Sequence, residues 1–183
     1  MKMYDVPTLL TAIQNGARPQ YLFFWGHTPR KDGTIGKECL SQWWETPFEV
    51  DSVTYRSAEH SMMAGKARLF GDTATLEKIL RAPTPKDAKA LGRKVTPFDS
   101  QVWEQHCVAI VVQGNLAKFG QNPALKAFLL GTEDRVLVEA SPFDRIWGIG
   151  LRESAPEAQD PAQWKGRNLL GFALMQVRDQ LRR

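Results

Sequence analysis

The order of the predicted elements, short strands first and helices afterwards, assigns this chain to a mainly α, helix-rich α+β class. Two observations support that. From Ser57 onward apolar residues recur at helical spacing, punctuated by Ser, Thr and Pro starts and Gly stops. The strand–helix–strand alternation of a doubly wound parallel sheet is absent. With 183 residues and no Ser/Gly-rich or Pro-rich linker, the chain reads as one compact domain.

Asp5-Val6-Pro7 followed by Leu9, Leu10 and Ile13, and closed by Asn15-Gly16, predicts a short amphipathic helix. Tyr21 to Trp25 predicts a strand, and the charged, Pro- and Gly-bearing stretch from Gly26 to Cys39 a loop. Phe48, Val50, Val53 and Tyr55 flank Asp51-Ser52 as a hairpin, so the first third is expected to be a small antiparallel sheet. Helices are expected over 57–70, 73–81, Thr84-Pro85 to about Lys94, Ser100 to Phe119, Pro123 to Leu130 and Asn168 to Leu181. Asn168 is expected to be the N-cap of the last one. The β-branched run Arg135 to Ala140 predicts a strand between them.

Composition narrows the function. No apolar run approaches the roughly 20 residues that span a bilayer, and the amino terminus lacks the basic start and apolar core of a secretion signal. A cytoplasmic protein with no membrane contact is the expectation. Cys39 and Cys107 are too few for a disulfide framework, and His27, His60 and His106 are not spaced as ligands, so no metal is expected. The net charge of +4 leans mildly towards anionic partners such as nucleotides, sugar phosphates or nucleic acid. The basic residues form no stripe along the sequence, which makes a structural nucleic-acid binder the weakest of the functional readings. Gly148-Ile149-Gly150 lacks the third glycine and the following helix of a dinucleotide-binding turn.

Chemistry is best looked for at Ser57-Ala58-Glu59-His60. With Ser57 as N-cap, Glu59 falls where the helix dipole favours a carboxylate, and Lys66 follows on the same face with Met62, Met63 and Phe70. Two readings compete. Both charges can lie at the rim of an apolar stripe, with Lys66 snorkelling, or they can be buried for a catalytic purpose. The loop Ser141 to Gly150 follows the predicted strand and offers Asp144 as a second carboxylate and Trp147 as a flat wall; a tight turn with an anchoring Trp explains it equally well. Ser41-Gln42-Trp43-Trp44 and Trp164 to Asn168 have the same polar and aromatic character. Carboxylates, amides and aromatic faces together suit a planar heterocycle joined to a sugar.

Several blocks in order, Tyr21 to His27, Ser41-Gln42-Trp43, Ala58-Glu59-His60 with Lys66, Gly114 to Phe119, Ser141 to Gly150 and Gly166 to Gly171, resemble the NADAR family, also called YbiA-like. The resemblance covers roughly residues 21–183, leaving residues 1–20 as an N-terminal helical extension. It implies a helix-rich YbiA-like fold and hydrolysis of N-glycosidic bonds without metal or organic cofactor. Two substrate classes are implied: ADP-ribose on guanine bases of DNA or RNA, and the ribosylaminopyrimidine phosphates of riboflavin biosynthesis. Catalytic roles fall on Glu59, Lys66 and Asp144, with Trp147, Ser41, Gln42, Trp43, Asn115, Arg145 and Asn168 around the substrate. Two mechanisms stay open, a Schiff base through Lys66 and direct hydrolysis with Glu59 activating water. A non-catalytic ADP-ribose or nucleotide sensor is the alternative.

Overall fold

Local hydrogen bonds place the helices close to where the sequence puts them. A computed structural model describes residues 2–183, with seven α-helices and four strands among them. The Asp5 side chain accepts from Thr8 N–H in a capping box that opens α1 (Val6–Gln14). The Ser57, Asp72, Thr84 and Asp99 side chains likewise cap α2 (Ala58–Leu69), α3 (Thr73–Arg81), α4 (Pro85–Gly92) and α5 (Ser100–Gln121). Next come α6 (Pro123–Leu130) and, at the carboxyl end, α7 (Leu169–Leu181). Short 3-10 turns, which the sequence pattern does not announce, cover Lys37–Leu40, Pro156–Gln159 and Pro161–Gln163.

The strands correct one expectation. Antiparallel pairing holds for the hairpin alone, β2 (Glu45–Val50) with β3 (Val53–Ser57), whose turn residues Asp51 and Ser52 have φ of 50° and 63°. Both values are positive, as a two-residue turn matching the strand twist requires. By contrast, β1 (Tyr21–Phe24) pairs parallel with β4 (Val136–Glu139), in register Tyr21 to Val136 through Phe24 to Glu139. Each sheet therefore has two strands. β4 is buried along Val136, Leu137 and Val138, which explains its continuous apolar run.

The chain forms two compact units. One joins the chain up to Ser41 with Ala127–Arg183 and contains α1, the β1–β4 pair and α7. Here α7 packs on β4 so closely that a Cβ on Gly171 would lie 2.0 Å from the Leu137 carbonyl oxygen. The other, Gln42–Lys126, contains the hairpin and α2 to α5. At its centre α2 is buried at every position from Ala58 to Ala64, and α3, α4 and α5 all pack against it. A Cβ on Gly65 would meet Ile110, and one on Gly114 would meet Ser61 at 2.7 Å, so α2 and α5 run antiparallel with glycines at their crossing. No helix among the described residues is long and apolar enough to cross a membrane.

Candidate active site

In the hairpin unit, the first turn of α2 collects polar groups away from water. Glu59 is only 5% exposed, so it is not a rim residue, and its backbone N–H donates to the Gln42 carbonyl at 2.9 Å. The Gln42 Oε1 accepts from Asn115 Nδ2 at 2.7 Å, and the same Nδ2 donates to the Val111 carbonyl. Gln42, Glu59 and Asn115 are thereby brought together across β2's lead-in, α2 and α5. Asn115 Oδ1 is buried and has no hydrogen-bond partner among the described residues. An unfilled buried acceptor is costly, and native proteins keep few of them.

Sequence reasoning missed Lys118, which is 0% exposed. It lies one turn beyond Gly114 on the same side of α5, and the antiparallel crossing carries that level back to the first turn of α2. Buried lysines are rare unless compensated. The available signal was the Asn115-Leu116-Ala117-Lys118 spacing, which places a lysine near the face of a candidate asparagine and inside an otherwise apolar stretch.

Lys66 follows Glu59 by two turns, about 10 Å along the axis. Its Nζ donates to the Gly92 carbonyl at the end of α4 at 2.9 Å and stands 4.3 Å from the Phe98 ring centroid and 5.6 Å from that of Trp103. Burial pulls its pKa below the ordinary lysine value. The ammonium thus has a helix C-terminus and aromatic faces as its surroundings. Trp43 is half-buried, with Lys89 Nζ 5.9 Å over its ring. His60, also buried, holds the helix start: its Nε2 faces the Ala82 carbonyl at 3.1 Å, and its Nδ1 lies 2.7 Å from Ser57 Oγ. A carbonyl only accepts, so Nε2 carries the proton and Nδ1 accepts from the Ser57 hydroxyl. Desolvation lowers the His60 pKa.

In the other unit, the loop after β4 is tied down by its own side chains. Ser141 Oγ accepts from the Phe143 and Asp144 N–H groups, and Asp144 Oδ1 accepts from Ile146 and Trp147 N–H, both at 2.8 Å. The segment leading into α7 is laced to this loop. Arg167 N–H donates to the Arg145 carbonyl, Asn168 to Gly148, Leu169 to Ile146 and Leu170 to Trp147. Asn168 is the N-cap residue of α7, as expected, but the first N–H groups of the helix are satisfied by the loop rather than by its side chain. Asn168, at φ 53°, makes no side-chain cap; its Nδ2 donates to the Leu137 carbonyl and its Oδ1 accepts from Glu139 N–H, each at 2.9 Å. It acts as a one-residue extension of the ladder along β4. The same unit brings together Asp144, Arg145, Trp147 and Asn168, while Ser41 closes the 3-10 turn at its boundary with an N–H bond to Glu38. No cluster of three or more His, Cys, Asp or Glu among the described residues could hold a metal.

A buried carboxylate at a capped helix start, inside a helix-rich α+β fold, defines a class of compact α+β proteins with polar groups sequestered near a helix crossing. The sequence profile of the NADAR domain matches residues 23–182, and the chain belongs to that family. It is similar to N-glycosidase R617 of Acanthamoeba polyphaga mimivirus, with 40% identity over 166 residues, spanning 88% of this chain and 96% of the relative. It is also similar to N-glycosidase YbiA of Escherichia coli strain K12, with 33% identity over 135 residues, spanning 74% and 76%. The NMR structure of the E. coli protein YbiA superposes with a TM-score of 0.71 at 28% identity, covering 91% of this chain and 87% of that one. The fold is YbiA-like, as the sequence blocks imply.

Proposed function

We propose that this chain is a hydrolase that cleaves the N-glycosidic bond of ribosylamino or ADP-ribosyl compounds. The observation that carries the reading is the burial of Glu59 at the start of α2, with its backbone N–H on the Gln42 carbonyl and the Gln42 side chain bonded to Asn115. Holding a carboxylate out of water is costly, and such positions concentrate at functional sites. Relatives whose names include N-glycosidase support the reaction class.

Direct hydrolysis is the favoured route. Glu59 takes a proton from water as the water oxygen attacks the anomeric carbon, the C1–N bond breaks through an oxocarbenium-like state, and that proton passes from Glu59 to the leaving amine, which regenerates the carboxylate. The Schiff-base route is less favoured because the Lys66 ammonium rests on the Phe98 ring, a cation contact that a neutral nucleophilic amine would give up. Asp144 and Trp147 enter the reading through the family motif, as candidate contacts to ribose and base. Cys39 and Cys107 are buried and not joined in a disulfide, which suits a reducing compartment.

The test incubates the protein separately with an ADP-ribosylated guanine oligonucleotide and with a ribosylaminopyrimidine phosphate, following released sugar and base by mass spectrometry. Release from one alone names the substrate class. Cyanoborohydride in a parallel reaction traps a sugar on Lys66 only if the Schiff base forms. Thermal stabilisation by ligand with no release from either substrate would replace the hydrolase with a nucleotide sensor.

A further inference from the structure

The hydrolysis proposed for Glu59 leaves Lys118 without a role, although a buried lysine is costly to keep. Among the residues of Gln42–Lys126 one carboxylate and one ammonium lie out of water, Glu59 at 5% exposure and Lys118 at 0%, while every other Asp, Glu, Lys and Arg there is half-buried or exposed. Neither residue is without a partner. A charge held in the interior is neutralised or matched by an opposite one, because nothing else there replaces its hydration.

The helix crossing sets the two residues at one level. A Cβ on Gly65 would meet Ile110 and one on Gly114 would meet Ser61, so a step of one turn back along α2 matches a step of one turn on along α5. The next such step brings Lys118 opposite the start of α2, whose first turn carries Glu59. Hydrogen bonds fix this end of α5 independently. Asn122, one turn beyond Lys118, donates to the Lys118 carbonyl at 2.7 Å and accepts from the Thr46 hydroxyl at 3.1 Å; Thr46 follows Glu45, which pairs with Ser57 across the hairpin. On the other side Asn115 bonds the Gln42 side chain, and the Gln42 carbonyl holds the Glu59 N–H. The other ionisable groups around the start of α2 are engaged or in solvent. His60 is spent on Ser57 and Ala82, Asp87 accepts from the Thr84 hydroxyl, Lys89 stands over Trp43, and Lys66 is two turns further on. Arg56 and Glu45 are exposed, as are the acids and bases of α3 and the remaining ones of α5.

We infer that the Lys118 ammonium pairs with the Glu59 carboxylate and is a positioning residue that holds it as the general base. Burial alone favours the protonated acid, which is useless as a base at neutral pH, and a cation alongside reverses that preference. Once Glu59 has taken the proton from water, the same ammonium favours its release, so the proton moves on to the leaving amine and the carboxylate returns. Lys118 keeps its own protons throughout. Being fully buried, it acts through Glu59 rather than on the substrate. The catalytic consequence rests on the hydrolase reading, whereas the pair itself does not.

The first arm of the test needs no substrate. In protein labelled with carbon-13 at the glutamate carboxyl, the Glu59 signal is the one missing from Glu59→Gln, and it is titrated in wild type and in Lys118→Met. Its midpoint is expected to rise by about 1 to 3 pH units in Lys118→Met. An unchanged midpoint overturns the pair. Because Lys118→Met leaves a buried carboxylate unmatched and is expected to destabilise the fold, urea unfolding decides the same question: the Glu59→Gln/Lys118→Met double variant should be more stable than Lys118→Met alone. A double variant no more stable than that single one overturns the pair. The second arm follows turnover against pH on the substrate that the protein cleaves. The acid limb should move up in Lys118→Met together with the Glu59 midpoint, a shift that a purely structural lysine would not cause. An acid limb that stays in place overturns the positioning role. Absence of cleavage in wild type, with the Glu59 midpoint still shifted by Lys118→Met, overturns the hydrolase reading and leaves the pair standing.

Discussion

The start of α2 and the loop after β4 use similar residues for opposite ends. Around α2, the side chains of Glu59, Lys118 and Asn115 are buried in the protein interior, and the Asn115 Oδ1 acceptor is unfilled among the described residues. In the loop, Asp144 Oδ1, Ser141 Oγ and both ends of the Asn168 amide are consumed by backbone groups, and the apolar side chains point outward instead. The difference teaches that a motif residue's chemical type does not reveal whether its polarity is spent on architecture. Only its hydrogen-bond partners do.

The sharpest break of this comparison is expected at Glu59. Glu59→Gln removes the only base in the proposed mechanism and should lower turnover by at least about 100-fold while ligand still shifts the melting temperature. Near-normal turnover would remove Glu59 from the chemistry.

Asn168 should behave as the architectural counterpart. Asn168→Ala leaves the Leu137 carbonyl and Glu139 N–H without their partners and puts a β-carbon residue that lacks asparagine's local hydrogen bonding at positive φ. A loss of about 3 kcal/mol is expected in urea unfolding. If stability stays within about 0.5 kcal/mol of wild type, the loop does not depend on that amide.

A smaller effect belongs to Ser57, whose hydroxyl caps α2 and donates to His60. Ser57→Ala should cost about 1–2 kcal/mol in the same assay. His60 gives this region a pH dependence. Its folded pKa is lowered by desolvation, so its neutral form is favoured in the folded state. That stability is fully present above the unfolded value of about 6.5 and is lost as pH falls below it towards the lower folded pKa. Urea midpoints at pH 7.5 and 5.5 should therefore differ in the wild type, and the difference should shrink in His60→Gln. An equal pH response in both would assign it to other groups.

The smallest effect on folding is expected at the exposed Phe143 ring. Phe143→Ala should change unfolding stability by no more than about 0.5 kcal/mol, because its ring is mostly in water already. A larger loss would mean that the ring supports the loop.

Much of the secondary structure was legible because its causes are local. Ser57, Asp72, Thr84 and Asp99 cap helices through bonds spanning two or three residues, and Pro85 and Pro123 open helices with their fixed φ. The hairpin at Asp51-Ser52 was readable for the same reason. At the candidate site, the sequence pointed to Glu59, Gln42 and Asn115 as residue types in matching blocks, but their joining through a Gln42–Asn115 bond required two distant elements to meet.

What the sequence by itself determined is the helix-rich α+β class, the helix boundaries and the family blocks, all encoded in short spacings. Tertiary structure decided the parallel partner of β1, the use of Asn168 along β4, the burial of Lys118 and the meeting of Trp25 with Phe143. Each depends on which surfaces pack together, and burial and pairing across distant chain segments are set by that packing rather than by the identity of neighbours in sequence.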